Sequence, residues 1–260
     1  MRLTATSTFG TLGIIRGKGT EVRSRYAVTL LTLVAAASAG AEVGDYDYST
    51  KETRAIVHAY AKCVVRRHPA KASEALLQDV DNGSIQRRYP MLIDGECLGR
   101  EAGGRIKARF GGDLYRYALA DALVSRELAA APVPALDSVP ILARQAAQDR
   151  PQPPAANARK SERRDYEFAV KKHDRAVADA FLGRYGECIV RVDPAGAKAL
   201  LLTIPDSSEE TGGFGRLKPA LATCLTEGAT LQFGRVALRG TIALNYYRLA
   251  HAAGTMAAGS

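Results

Sequence analysis

Two separate stretches of the chain carry apolar positions at a helical period, and they share their marks. Phe181, Tyr185, Cys188 and Ile189 fall at i, i+4, i+7 and i+8, which is one face of a helix. Ile56, Tyr60, Cys63 and Val64 repeat that face 125 residues earlier. Each helix then stops at a proline, Pro69 or Pro194. Asp193-Pro194 reads as N-cap and first residue of a second helix, because Asp accepts from free backbone N–H groups and Pro lacks an N–H that would go unpaired there. His68-Pro69 meets that requirement less well. Leu200 to Leu202 carry the second helix inward. A polar turn follows in both stretches, "DVDNGS" and "PDSSEETGG", and breaks the period.

Further on, each stretch brings in a second cysteine, Cys97 or Cys224, and closes with a longer apolar helix. Leu114, Ala118, Leu119, Ala122 and Leu123 mark the first closing helix; Leu238, Ile242, Tyr246 and Leu249 mark the second. Phe110, Gly111, Arg116 and Ala120 answer Phe233, Gly234, Arg239 and Ala243 at an offset of 123. The small change of offset places insertions in loops, where they are tolerated. No clean alternating run signals a strand. The pattern predicts an all-α protein of two duplicated small helical domains, each closed by one disulfide, joined by a Pro-rich linker. The expected division is a signal peptide over 1–41, a first domain over 42–127, a linker over 128–164 and a second domain over 165–260. The linker holds six of the eleven prolines, too many for a helix to pass through. It is expected to be extended and partly disordered, with "PILARQAA" able to dock as a short helical turn.

Charge changes the picture only after it is divided. The formal balance of the 260 residues is +9. Five cations against one carboxylate precede residue 42, so about half of the excess belongs to that segment. There, Arg23 and Arg25 stand before "YAVTLLTLVAAASAGA". A basic segment, a short apolar run and small residues are the three parts of a secretory signal. Cleavage would follow Ala39 or Ala41. The apolar run is shorter than the roughly 20 residues a spanning helix needs, and no later segment is long and apolar enough to span. The reading is therefore a periplasmic or extracellular protein without a transmembrane segment in its mature form.

Export leads to a compartment where disulfides persist. Four cysteines allow three connectivities, and the repeat selects among them. Cys63 and Cys97 are separated by 33 intervening residues, Cys188 and Cys224 by 35. A duplicated unit inherits its bond with its sequence, which pairs Cys63 with Cys97 and Cys188 with Cys224. A unit of this size has a small core and benefits from such a staple.

Candidate chemistry is sparse. There is no CxxC, no HExxH and no GxSxG, and His58, His68, His173 and His251 lack ligand spacing with the cysteines. No catalytic residue, cofactor or metal is called. Recurring arginines are the main polar feature: Arg66 and Arg191 follow the first cysteine of each copy, and Arg116 and Arg239 lie in the closing helices. One reading is an anion contact repeated in each copy; the other is ion pairing that fixes each unit's own packing. The stretch 159–175, "RKSERRDYEFAVKKHDR", is basic enough to meet a polyanion, although no specific nucleic-acid motif is present and carboxylates interrupt it.

The stretches "GECIVRVDPAGAKALL", "PALATCL" and "LRGTIALNYYRLA" together resemble a loose group of exported, helical, two-cysteine proteins of alphaproteobacteria. The likeness covers the second copy better than the first. In that group the motif reads Cys-Val-Val-Arg, Asp-Pro, Cys-Leu and Leu-Arg-Gly. The first copy departs from it at His68 and at Tyr117, which replaces the glycine answering Gly240. The resemblance implies compartment and fold, and no activity. The favoured expectation is an exported, non-catalytic binding or envelope-associated protein, with an envelope component or another protein as partner. Its rivals are an enzyme with a site between the two copies and a polyanion binder using 159–175.

Overall fold

In a computed structural model the chain is described over residues 51–102, 114–144, 149–225 and 234–259. The expected signal peptide, and the marks Phe110, Gly111 and Phe233, lie outside the described residues. All described elements are helical. The first half holds α1 (Lys51–Arg67), α2 (Pro69–Leu77), α3 (Asn82–Arg88), a 3₁₀ turn at Pro90–Leu92, α4 (Gly95–Ala102) and α5 (Leu114–Leu123), which loosens into one π turn at Val124–Leu128. The second half holds α6 (Lys160–Val192), α7 (Pro194–Leu201), α8 (Ser208–Arg216), α9 (Lys218–Thr223) and α10 (Arg235–Gly259).

The two halves share several local features, although among the described residues the 3₁₀ turn and the π turn belong to the first half alone. A proline opens α2 and α7. The Asp193 carboxylate accepts from the Gly196 N–H and caps α7, whereas His68 gives α2 no side-chain cap. Asp81 and Ser207 cap α3 and α8 by accepting from the N–H groups of Ser84 and Glu210. Cys63 on α1 is bonded to Cys97 on α4, and Cys188 on α6 to Cys224 at the end of α9, with Cα atoms 5.7 and 5.8 Å apart. Tyr60 donates to the Leu92 carbonyl and Tyr185 to the Leu221 carbonyl. Each tyrosine thus ties its helix to the segment before the second cysteine.

The core runs through both halves. Helices α5 and α10 pack on each other at its centre, α1 lies against α5, and α6 lies against α10. Nearly every residue from Leu238 to Leu249 is buried, so α10 has no solvent face along that stretch, as expected of a central helix. The α5–α10 contact is close because Tyr117 and Gly240, which occupy answering positions in the two halves, meet there. A Cβ on Gly240 would overlap the Tyr117 Cβ. The described part of 44–260 belongs to one compact unit.

The segment between the halves is extended, as its prolines require, but Leu136–Arg144 is far from a loose tether. Leu136 and Val139 are buried in the shared core. The Arg191 guanidinium donates to the carbonyls of Leu136, Val139 and Pro140 at 3.2, 3.0 and 2.7 Å. The backbone N–H of Leu142 and the Arg144 guanidinium donate to Glu187, at 3.0 and 2.7 Å. "PILAR" therefore docks, without forming the helical turn expected of it. Helix α6 also begins at Lys160, ahead of the expected boundary at 165.

Candidate functional site

One cleft opens where α1 and α5 of the first half meet the α7–α8 turn and α10 of the second. Its interior volume is about 70 Å³, small beside ordinary small-molecule sites. Helical spacing builds each wall. Arg54, Val57 and His58 share one face of α1; Leu114, Tyr117, Ala118 and Asp121 share one face of α5; Arg235, Val236, Arg239 and Gly240 come from the first turns of α10. Pro205, Asp206 and Glu210 complete the rim. The walls are apolar and the charges sit at the base and one edge.

Most of those charges satisfy one another, while Arg235 donates to the Thr211 hydroxyl. Arg239, buried on a central helix, donates through Nη2 and Nε to Asp121 at 3.0 and 3.2 Å and through Nη1 to Glu210 at 3.0 Å. Its remaining donors meet the carbonyls of Leu200, Leu201 and Thr203, which are the open C-terminal end of α7. His58 Nε2 lies 3.0 Å from the second Asp121 oxygen. At the edge, Arg54 holds Asp206 with two bonds, 2.6 and 2.8 Å, and the Asp206 hydrogen bond keeps its guanidinium pKa above the ordinary value. Asp206 itself sits at φ 61°, a left-handed conformation that Asp tolerates. Its backbone N–H donates to Glu210 at 2.9 Å.

The arginines singled out from the sequence do not converge on a common site. Arg239 and Arg191 are committed to the protein's own carboxylates and carbonyls, as above. Arg116 donates to Asp79 at 3.3 Å and to the Val80 carbonyl at 3.4 Å. Arg116 and Arg239 thus do similar work, each anchoring the turn after the second helix of its own half. Arg66 is exposed on α1. The basic stretch 159–175 forms the beginning of α6. Sequence reading missed His58, Asp121, Arg54 and Asp206 as a group. None of them has a near neighbour in the chain that marks it, and their meeting depends on how the halves pack. One signal was available: Asp121 is a lone acid inside the apolar run "YALADAL", and such an acid is buried only with a partner.

Among the described residues, no group of three His, Cys, Asp or Glu is placed to hold a metal, and no helix is long and apolar enough to cross a membrane. No family model matches the chain, and neither a curated protein nor a solved structure is similar to it.

Proposed function

We propose that the protein is an exported, non-catalytic binding protein, built from two copies of one disulfide-closed helical unit, whose ligand enters the cleft where the copies meet. The observation that carries this reading is the state of the cleft's charges. Asp121, Glu210 and Asp206 are neutralised by Arg239 and Arg54, and among the described residues no serine or cysteine lines the walls. What remains open to a ligand is apolar surface from Val57, Leu114, Tyr117, Ala118 and Val236, with His58 and Arg235 as the polar groups beside it. Such a cleft favours capture of a small, largely apolar molecule over bond making. The shared local features and the matched disulfides support the duplication. Two disulfides also suit an oxidising compartment.

The test is an environment-sensitive, uncharged naphthylamine dye. The expected result is saturable binding to the mature protein that Ala118→Trp abolishes while thermal stability stays close to that of the parent. Dye binding unaffected by Ala118→Trp would overturn the site. Recovery of the protein from the producing cell with residues 26–39 still attached would overturn export.

A second reading has one observation in its favour. His58 is oriented by Asp121 and faces the cleft, the arrangement of a histidine held for proton transfer. An enzyme with its site between the copies would lose turnover in His58→Gln while keeping dye affinity. A plain binding protein has no turnover to lose.

A further inference from the structure

We propose that the first five turns of α6 form an arm that lies on an anionic phospholipid surface. The inference goes beyond the reading above and does not depend on the cleft.

At 3.6 residues per turn, Lys160, Arg164, Lys171 and Arg175 fall within about 60° of one another around the α6 axis. All four are exposed. Among the described residues, no carboxylate lies within ion-pair distance of any of them, whereas Arg159 and His173 of the same arm do have acidic neighbours. The stripe is therefore a row of cations left to solvent, in a helix whose other charges are partly paired. It spans about 23 Å along the axis.

Phe168 stands beside the middle of this row and is 71% exposed. Its place among cations is what an interfacial helix presents: lysines and arginines for headgroup phosphates, an aromatic ring for the acyl boundary. The opposite edge is different. Tyr166, Ala169, Val170 and His173 are half-buried, so the cation row faces outward, with exposed Glu167 and Asp174 along one side of it. From Phe181 onward α6 turns into core, with Tyr185, Ile189 and Val190 buried. The helix thus joins a surface-directed segment rigidly to the body. A straight row of cations with one protruding ring fits a plane. A nucleic-acid strand would instead call for several stacking aromatics along a groove.

The experiment is co-sedimentation of the mature protein with vesicles of phosphatidylglycerol and phosphatidylcholine. Binding is expected to vesicles rich in phosphatidylglycerol, absent from pure phosphatidylcholine, and weakened as salt rises toward the range where the Debye length falls below about 8 Å. The variant Arg164→Glu/Lys171→Glu reverses two charges on the stripe. Arg163→Glu/Lys172→Glu reverses two charges on the same arm off the stripe, at equal net charge. Since each cation near such a surface is worth on the order of five-fold in partition, the stripe pair is expected to lower binding by at least ten-fold and the off-stripe pair by much less. Phe168→Ser is expected to lower it several-fold at unchanged salt dependence. Equal losses for the two charge pairs, or stronger binding to a single-stranded homopolymer RNA than to the vesicles, would overturn the proposal. Retained dye binding in a variant that has lost the vesicles separates failure of the arm from failure of the cleft.

Discussion

The outer faces of α1 and α6 occupy answering places in the two halves, yet they do different work. On α6, Glu187 is buried and Arg191 is largely covered, because the segment Leu136–Arg144 lies across them. On α1 the answering residues, Lys62 and Arg66, are exposed. Gly183 stands where His58 stands in the first half, and the Arg144 guanidinium packs over it, so close that a Cβ there would sit 2.7 Å from Nη1. Arg144 also donates to Asn245 of α10 at 2.6 Å. In the first half, His58 keeps its own side chain and points to the cleft. One face has been given to the chain's own strap and the other left open. The lesson is that a repeated arginine need not have a repeated role. Its partner is set by what the connecting segment covers.

The disulfides test how far the halves are equivalent. Each closes a loop of similar length, so replacing either pair by serine is expected to cost about 3–4 kcal/mol, the largest effect foreseen. Because α5 and α10 share one core, the loss should appear as a lowered single transition of the whole protein in urea unfolding. A variant in which one half melts early while near-ultraviolet dichroism of the tyrosines in the other persists would show that the halves fold as separate units, as the sequence alone suggests.

That contrast shows where sequence reasoning ended. The helices, their proline starts, the Asp193 cap and the cysteine pairing follow from period and spacing, which act over a few residues or recur at matching intervals. The α5–α10 junction does not. "LYRYALADAL" and "RVALRGTIALNYYRLA" both show an apolar face, but nothing local says that the two faces meet each other. Tyr117 carried the only hint: it stands 123 residues before Gly240 and fills the space over it. The strap was hidden for a related reason. Prolines in 132–140 remove helix as an option and leave an extended chain, free or docked. The docking is decided by Glu187 and Arg191, which in sequence are just a charged pair at i, i+4. The same limit applies to the cleft, whose walls come from four separate segments.

The strap is the next place to separate the two faces. Arg191→Ala removes bonds to three carbonyls of the strap and to Glu187, and is expected to cost about 2–3 kcal/mol. Cleavage by trypsin after Arg144 should accelerate by at least ten-fold. Arg66→Ala, at the answering position, should change stability by less than about 0.5 kcal/mol and leave cleavage after Arg144 unaltered. Equal effects of the two substitutions would mean that the strap contributes nothing to holding the second half.

Acid should distinguish the faces more gently. Burial opposes the charged form of Glu187, but hydrogen bonds from the Leu142 N–H, Arg144 and Arg191 outweigh it and hold the carboxyl below its ordinary range. In the first half Asp94 is held low as well: burial again opposes, and the Cys97 N–H, His68 and the Glu96 N–H prevail, with Arg67 adding its charge. For a carboxylate whose folded pKa is depressed, the stabilisation is complete above its unfolded value, about 4.3 for Glu and 3.9 for Asp, and is lost as pH falls through the lower folded value. Lowering the pH from 6 to 3 should therefore weaken both sites, and a global melting curve would not separate them. Local amide exchange does. Leu142, whose N–H ends on the Glu187 carboxylate, should lose protection as that group is neutralised, since the strap has no regular backbone ladder behind it. Cys97 donates to Asp94 in the same way but sits in a helix pinned by a disulfide, so its protection should fall less. If Leu142 is unprotected already at pH 6, the strap is not held by Glu187. If Cys97 loses protection first, the first half is the acid-sensitive one and the comparison is inverted.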